Sequence, residues 1–141
     1  MNNKPFLIDF PKIGSPELGY ISVAEVEKNI PFEIKRVYWT YYTPNDITRG
    51  GHAHLLLNQV IFAVSGTITF NTIDIKGYKE EFILDNPYTG LYIPNLIWRD
   101  IKFTHSSVLL CLASEIYNEN DYIREYKNFI NLSLKWKFAL L

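Results

Sequence analysis

A single cysteine, Cys111, excludes an internal disulfide. It stands inside the apolar "VLLCLAS" and is read as a small buried hydrophobe, not a reactive thiol. Net charge is also scarce: 14 Lys and Arg against 15 Asp and Glu leave −1. That balance argues against the basic face of a nucleic-acid partner, so an anionic ligand must be held by a few placed Arg or Lys side chains. No apolar run approaches the roughly 18 residues of a membrane span. The opening "MNNKPFLIDF" is too short an apolar stretch, and too interrupted by Asp9, for a signal peptide; a cytoplasmic protein is expected. Repeats, low-complexity tracts and linkers are lacking too, so residues 1–141 are expected to form one domain. A chain of this size buries roughly two-thirds of its unfolded surface, and 48% hydrophobic residues supply the core.

What the chain does have is short strands. "IKRVYWTYY" (Ile34 to Tyr42) is rich in β-branched and aromatic residues and stops at "TPND". "NQVIFAV" is apolar on both faces, as in a sandwich or barrel core. After the turn "SG", "TITFNTIDI" alternates, with Ile68, Phe70 and Ile73 expected inward. "YKEEFIL", "TGLYIP" and "SSVLLCLAS" are further strand candidates, and the ensemble predicts an all-β sandwich or barrel. Near the end the period changes. Tyr122, Ile123, Tyr126, Phe129 and Ile130 recur at helical spacing, with Asn118 or Asn120 as cap. The final "NLSLKWKFALL" alternates strictly, which predicts a strand with Leu132, Leu134, Trp136 and Phe138 on one face. That face needs cover, from a second subunit or from its own domain.

Histidine is rare as well. Of three, His52 and His54 stand two apart at the mouth of the apolar run "LLLNQVIFAV". The third, His105, falls in a turn with no partner nearby and reads as a surface residue. The pair resembles the metal motif of cupin jelly rolls, in which His-x-His is followed by Glu and then Gly, and Pro-x-Gly-x-x-His supplies a fourth ligand. Here the spacing holds, but Gln59 replaces the acid, and "PNLIWR" puts Arg99 where the last histidine would stand. A divalent metal favours imidazoles and a carboxylate. A guanidinium has no lone pair and repels the ion, so no metal is expected. Beside a cation, both imidazoles favour the neutral form. They could then pass protons, with Arg99 and the Tyr38 phenol stabilising an oxygen that gains charge. Proton abstraction next to a carbonyl fits such a group. The alternative is that an HxH on a strand merely points two rings into a polar barrel mouth.

"IPFEIKRVYW", "DITRGGHAH", "GLYIPNLIWR" and "LLCLASEIYNENDYIREY", in that order, closely resemble the dTDP-sugar 3,4-ketoisomerases, over about Phe10 to Phe129. The resemblance implies an all-β cupin jelly-roll barrel with a short C-terminal helix and no metal or organic cofactor. It also implies a homodimer that exchanges N-terminal strands. The implied substrate is dTDP-4-keto-6-deoxyglucose, whose ketone moves from C4 to C3 through an enediol or enediolate, toward 3-amino-3,6-dideoxy sugars. His52 and His54 match the family's catalytic pair, with His52 assigned to carbon and His54 to the oxygen relay. Tyr38 would contact the sugar oxygens, and Arg49 the pyrophosphate or the histidines. Arg after Trp98 resembles the gluco-forming, quinovose-type branch, and His there the galacto-forming, fucose-type branch. Gln59, Trp98 and Arg99 are candidates to line the pocket. Where many members carry Arg-Gly or Tyr-Gly, this chain has Leu18-Gly19. Leu18 cannot hydrogen-bond, so Tyr20 is the candidate to take its place.

Three other readings compete. A non-catalytic sugar-binding cupin would account for Leu18. A 3,5-epimerase-like jelly roll would pair a histidine with a distant Asp, and no acid looks well placed in the sequence. A metal-dependent dioxygenase is the weakest rival.

Overall fold

The computed structural model describes residues 3–141. The strands are β1 (Phe6–Asp9), β2 (Ile13–Ser15), β3 (Gly19–Ile21), β4 (Arg36–Thr40), β5 (Thr48–His54), β6 (Gln59–Ser65), β7 (Ile68–Asp74), β8 (Lys79–Leu84), β9 (Thr89–Ile93), β10 (Ile97–Phe103), β11 (Val108–Ala113) and β12 (Tyr122–Ile123). One helix, α1 (Tyr126–Ala139), follows. Two five-stranded antiparallel sheets, β1-β9-β6-β11-β4 and β12-β5-β10-β7-β8, face each other as a jelly roll, with β2 and β3 as a separate hairpin.

Alternation along the strands sorts the side chains into three apolar layers. Between the sheets lie Ile61, Ile68, Phe70, Leu84, Leu91, Ile93 and their neighbours, all buried. Outside the first sheet, the segment before β4 lays Phe10, Ile30, Phe32 and Ile34 over Val60, Phe62 and Leu112. A Cβ at Gly90 would come within 2.9 Å of both the Phe10 and Phe62 rings, so that layer needs a glycine beneath it. Outside the second sheet, α1 covers Ala53, Trp98 and Ile123. Ile73 belongs to this outer layer, not to the barrel interior; Thr72 takes the inward position beside Phe70.

The expected terminal strand is a helix. Its alternation is incidental, because Phe129, Leu132, Ser133 and Trp136 also recur at i, i+3, i+4 and i+7. Phe129 and Ser133 are buried on that face, and the Ser133 hydroxyl donates to the Ile75 carbonyl. Leu134 and Phe138 point to solvent, 46% and 70% exposed. The chain therefore supplies its own cover for Leu132. The preceding helical pattern was right only from Tyr126 onward, since Tyr122 and Ile123 pair with β5 as a strand. Asn118 caps a single 3-10 turn, Glu119–Asp121, by accepting the Asn120 N–H, while α1 has no side-chain cap.

Truncation distinguishes the helix from the strand reading. Phe129→Ala should cost about 3–5 kcal/mol, whereas Leu134→Ala should stay within about 0.5 kcal/mol. Chemical denaturation of both variants reads the difference, and equal losses would contradict the helical face.

Candidate active site

The polar end of the barrel is assembled by register. On β5, Ala53 faces α1, so His52 and His54 point inward. Across the antiparallel pairing Arg99 of β10 stands opposite His52, and a bulge follows between Arg99 and Asp100. Gly50 permits this approach. Its φ is +84°, and a Cβ would sit 2.6 Å from the Arg99 carbonyl oxygen, so the first glycine of "RGGHAH" is a requirement of the backbone. At the far end of β5, Leu96 donates its N–H to the His54 carbonyl from a φ of +60°. That left-handed position is where the cupin motif puts glycine, so the framework persists although its residue has changed.

Arg99 is 1% exposed. Its Nε and Nη2 donate to the Ile97 carbonyl at 3.2 and 2.9 Å, and Nη1 to Gln59 Oε1 at 2.6 Å. With its oxygen engaged, Gln59 turns its amide outward and donates to the Tyr38 hydroxyl at 2.9 Å and to Cys111 Sγ at 3.3 Å. Tyr38 thus accepts from the interior and keeps its own O–H to give. Burial, then the neighbouring Cys111, raises the phenol well above its usual range, and burial pushes the thiol up to about 12, so both stay protonated. Burial draws Arg99 down to about 10, which still leaves it charged at neutral pH. This donor set does not suit a divalent metal: the fourth position is a cation and the third an amide already engaged.

The two histidines have different partners. His52 Nδ1 lies 3.1 Å from the Gly50 carbonyl, and His54 Nδ1 lies 3.1 Å from Asp121 Oδ2. Both partners only accept, so each Nδ1 carries the proton and each Nε2 keeps a free lone pair. Burial first, then the Arg99 charge, lowers His52 to about 4 and pushes His54 lower still. The His54–Asp121 contact is therefore a hydrogen bond from a neutral imidazole, not an ion pair. Tyr122 lays its ring 5.1 Å from His52 and 4.3 Å from His54, centroid to centroid.

A cavity of about 460 Å³ opens in front of His52, with Tyr38 and Thr40 on one wall, Tyr122 on another, and Arg36, Arg49 and Arg124 around it. Arg49 is exposed at the mouth. Arg124 is engaged by Glu119 through Nε and Nη2, at 2.5 and 2.9 Å. Arg36 has a buried Nε without a partner among the described residues. An anion at this mouth would meet cations on several sides.

His52, Tyr38 and Arg49 thus line one cavity, with His54, Gln59 and Arg99 directly behind. Two expected pocket residues lie elsewhere. Trp98, adjacent in sequence to Arg99, points to the opposite face of the sheet and packs on Tyr126 and Phe129, with ring centroids at 5.0 and 5.8 Å. Tyr20 lies on the β2–β3 hairpin with Lys12 Nζ 4.3 Å over its ring, and lines no part of this chain's cavity. The sequence reading missed Asp121, Tyr122, Arg36 and Arg124. It also saw no acid well placed for an epimerase-like pairing with a histidine, yet Asp121 reaches His54 across 67 residues because β12 pairs with β5.

A family described as "FdtA: WxcM-like, C-terminal" matches residues 2–134. The chain belongs to this FdtA-like family of sugar 3,4-ketoisomerases. It is 39% identical over 130 residues to a TDP-4-oxo-6-deoxy-alpha-D-glucose-3,4-oxoisomerase from Aneurinibacillus thermoaerophilus, across 92% of this chain and 91% of that one. Its fold matches QdtA, a sugar 3,4-ketoisomerase from Thermoanaerobacterium thermosaccharolyticum in complex with TDP. The TM-score is 0.89 and the identity 39%, over 96% of this chain and 98% of the other. A histidine-to-asparagine mutant of that enzyme in complex with TDP-4-keto-6-deoxyglucose matches at TM-score 0.88, 39% identity and 96% of each chain. WlaRB, the TDP-quinovose 3,4-ketoisomerase of Campylobacter jejuni, matches at TM-score 0.85 and 36% identity, over 93% and 99%. The protein is therefore an isomerase. Among the described residues no helix is long and apolar enough to cross a membrane.

The lowered histidines set a pH dependence of stability. An unfolded imidazole titrates near 6.5, so as pH falls through that value the unfolded chain binds protons that the folded chain refuses. Stability from these groups is present above pH 6.5 and is lost as pH falls toward the folded values, by up to about 1.4 kcal/mol per pH unit for each histidine. Denaturant midpoints between pH 7 and 4.5 should fall accordingly, and His54→Gln should remove about half of the slope. A flat profile would mean that the pair is not held neutral.

Proposed function

We propose that the protein converts dTDP-4-keto-6-deoxy-D-glucose to its 3-keto isomer by acid/base catalysis between His52 and His54, without a metal or organic cofactor. The carrying observation is a pair of neutral imidazoles, each with a free Nε2, beside a buried cation and a phenol with a free O–H. The hydrogen on C3 is acidic because the pair left behind delocalises onto the C4 oxygen. His52, which fronts the cavity, takes that proton as the C3–C4 double bond forms. The C4 oxygen becomes an oxyanion that Tyr38 stabilises, with Arg99 acting through Gln59. His54 serves the oxygens: a proton moves from the C3 oxygen to the C4 side as the C3 carbonyl forms, and a proton returned to C4 completes the isomerisation. Bonds and protons balance with no external oxidant.

Arg36 and Arg49 would meet the diphosphate, the reading that their place at the mouth supports. Arg99 after Trp98 supports the gluco product. A homodimer with exchanged N-terminal strands also belongs to this reading. It is supported by apolar residues left open on the hairpin (Ile13, Leu18 and Ile21, 56%, 89% and 66% exposed) and on the edge strand β4 (Val37 and Trp39, 47% and 61%). In such a dimer the hairpin, with Leu18 and Tyr20, would approach the partner.

The decisive experiment is proton NMR of the protein with dTDP-4-keto-6-deoxyglucose in deuterated water. A 3-keto sugar carrying deuterium at C4 is expected, and the same reaction run in ordinary water gives the gluco configuration from the H4–H5 coupling. His52→Asn and His54→Asn should each lower turnover about 10²–10⁴-fold while staying folded. No product and no exchange at C3 would instead favour a sugar-binding protein, and exchange at C5 an epimerase. Sedimentation should give twice the chain mass, and Trp39→Glu should shift it toward the monomer; a wild-type monomer would remove the exchanged dimer.

A further inference from the structure

The two histidines are alike in sequence and unlike in support. His52 donates to a neutral backbone carbonyl. His54 donates to a carboxylate that is itself fixed in place: Asp121 Oδ1 accepts the Leu56 N–H at 2.7 Å, and Oδ2 accepts the Leu57 N–H at 3.3 Å. The Asp121 main chain is held as well, its carbonyl accepting the Leu55 N–H at 2.9 Å and its N–H donating to the Asn118 carbonyl at 3.0 Å. Four hydrogen bonds thus hold Asp121, three of them from the loop that follows β5, before His54 is counted. The next residue, Tyr122, pairs in register with His54 and roofs both imidazoles. Outside, the Glu119–Arg124 ion pair clasps the segment, with the Arg124 guanidinium 4.1 Å from the Tyr122 ring.

We propose that Asp121 is a positioning residue of the proton transfer. Its carboxylate locks His54 in the tautomer with Nε2 free, and it balances the positive charge when that nitrogen takes up a proton next to Arg99. The kinetic part of this inference rests on the ketoisomerase reading; the tautomeric part does not. His54 is then the imidazole equipped to carry the proton that passes between the two oxygens. His52, without an anion behind it, keeps the proton taken from C3 only until C4 is protonated.

Asp121→Asn tests this with little change of shape. The amide oxygen can keep the Leu56 N–H, which turns the NH2 toward His54 Nδ1 and gives up only the longer Leu57 N–H bond. That donor should force the His54 proton onto Nε2, the wrong nitrogen for a base. Long-range ¹⁵N–¹H correlation spectra of the free protein report each tautomer. Wild type should show His54 protonated at Nδ1, and Asp121→Asn should show it at Nε2, with His52 unchanged. In the sugar assay kcat should fall about 10²–10⁴-fold, with KM within about threefold of wild type.

A wild-type His54 already protonated at Nε2 would overturn the proposal, and so would an Asn variant with wild-type kcat or a loss of kcat without tautomer inversion. The wild-type spectrum decides even if the variant fails to fold. Should wild type not turn over the sugar at all, the ketoisomerase reading falls, while the two spectra still decide whether Asp121 sets the tautomer.

Discussion

A guanidinium buried to 1% exposure, with no carboxylate bonded to it, is the constraint on which the site depends. Taking such a charge out of water is costly unless hydrogen bonds compensate. Arg99 finds that compensation in one carbonyl, Ile97, and one amide, Gln59. The amide is thereby turned, since its oxygen must face the cation and its nitrogen must face Tyr38. The phenol becomes an acceptor on its inner side and a donor on its outer side. Together with burial, the larger cause, the same charge holds both imidazoles neutral, and it makes the position useless to a divalent ion. One buried cation thus sets the tyrosine's direction, the histidines' protonation and the class of chemistry.

Sheet pairing brings these groups together. Arg99 stands opposite His52 because β10 and β5 run antiparallel in a register that Gly50 makes possible, and the bulge just beyond it turns β10 away. The other partner of β5 is only two residues long, yet it delivers Asp121 and Tyr122 to the same place. A slip of one residue on either side would send the histidines under α1 and bring Ala53 and Trp98 into the barrel. The apolar layer of Trp98, Phe129 and Ala53 outside the second sheet fixes that register as firmly as the polar contacts inside. The helix therefore positions the site without touching it.

Much of this was legible in the chain. Six of the eight strands from Arg36 to Ala113 follow from alternation, and the cupin motif placed the HxH, Gln59 and Arg99; β5 and β10, which carry the site, were not among the strands read. Legibility failed where two periods fit the same residues. Leu132 and Trp136 are compatible with period two and with period 3.6, and only the partner of Phe129, a packed sheet, separates them. Trp98 was misread for another reason: adjacency in sequence on a strand means opposite faces in space. Asp121 lay beyond the reach of any local pattern, because its role depends on a two-residue strand that pairs across 67 positions. It is the last residue of "NEND", which looks like an ordinary acidic helix start, yet Glu119 forms an ion pair with Arg124 and Asp121 turns to His54.

The electrostatic arrangement also bears on how a weak base could remove a proton from carbon. Burial and then the nearby cation lower imidazole basicity, so His52 at about 4 is poorly matched to a carbon acid in the resting site. The mismatch lasts only while the substrate is neutral. In the proposed reaction, as the C3 proton leaves, negative charge would grow on the C4 oxygen, and the uncompensated field of Arg99, relayed through Gln59 and Tyr38, is already in place to meet it. That new negative charge offsets the guanidinium and raises the affinity of both imidazoles for protons at the moment one must accept. The cost of burying Arg99 is met during folding, so the stabilisation appears only when the enediolate forms. A neutral pair beside an unpaired cation is thus a site whose electrostatics become balanced in the intermediate, not in the ground state.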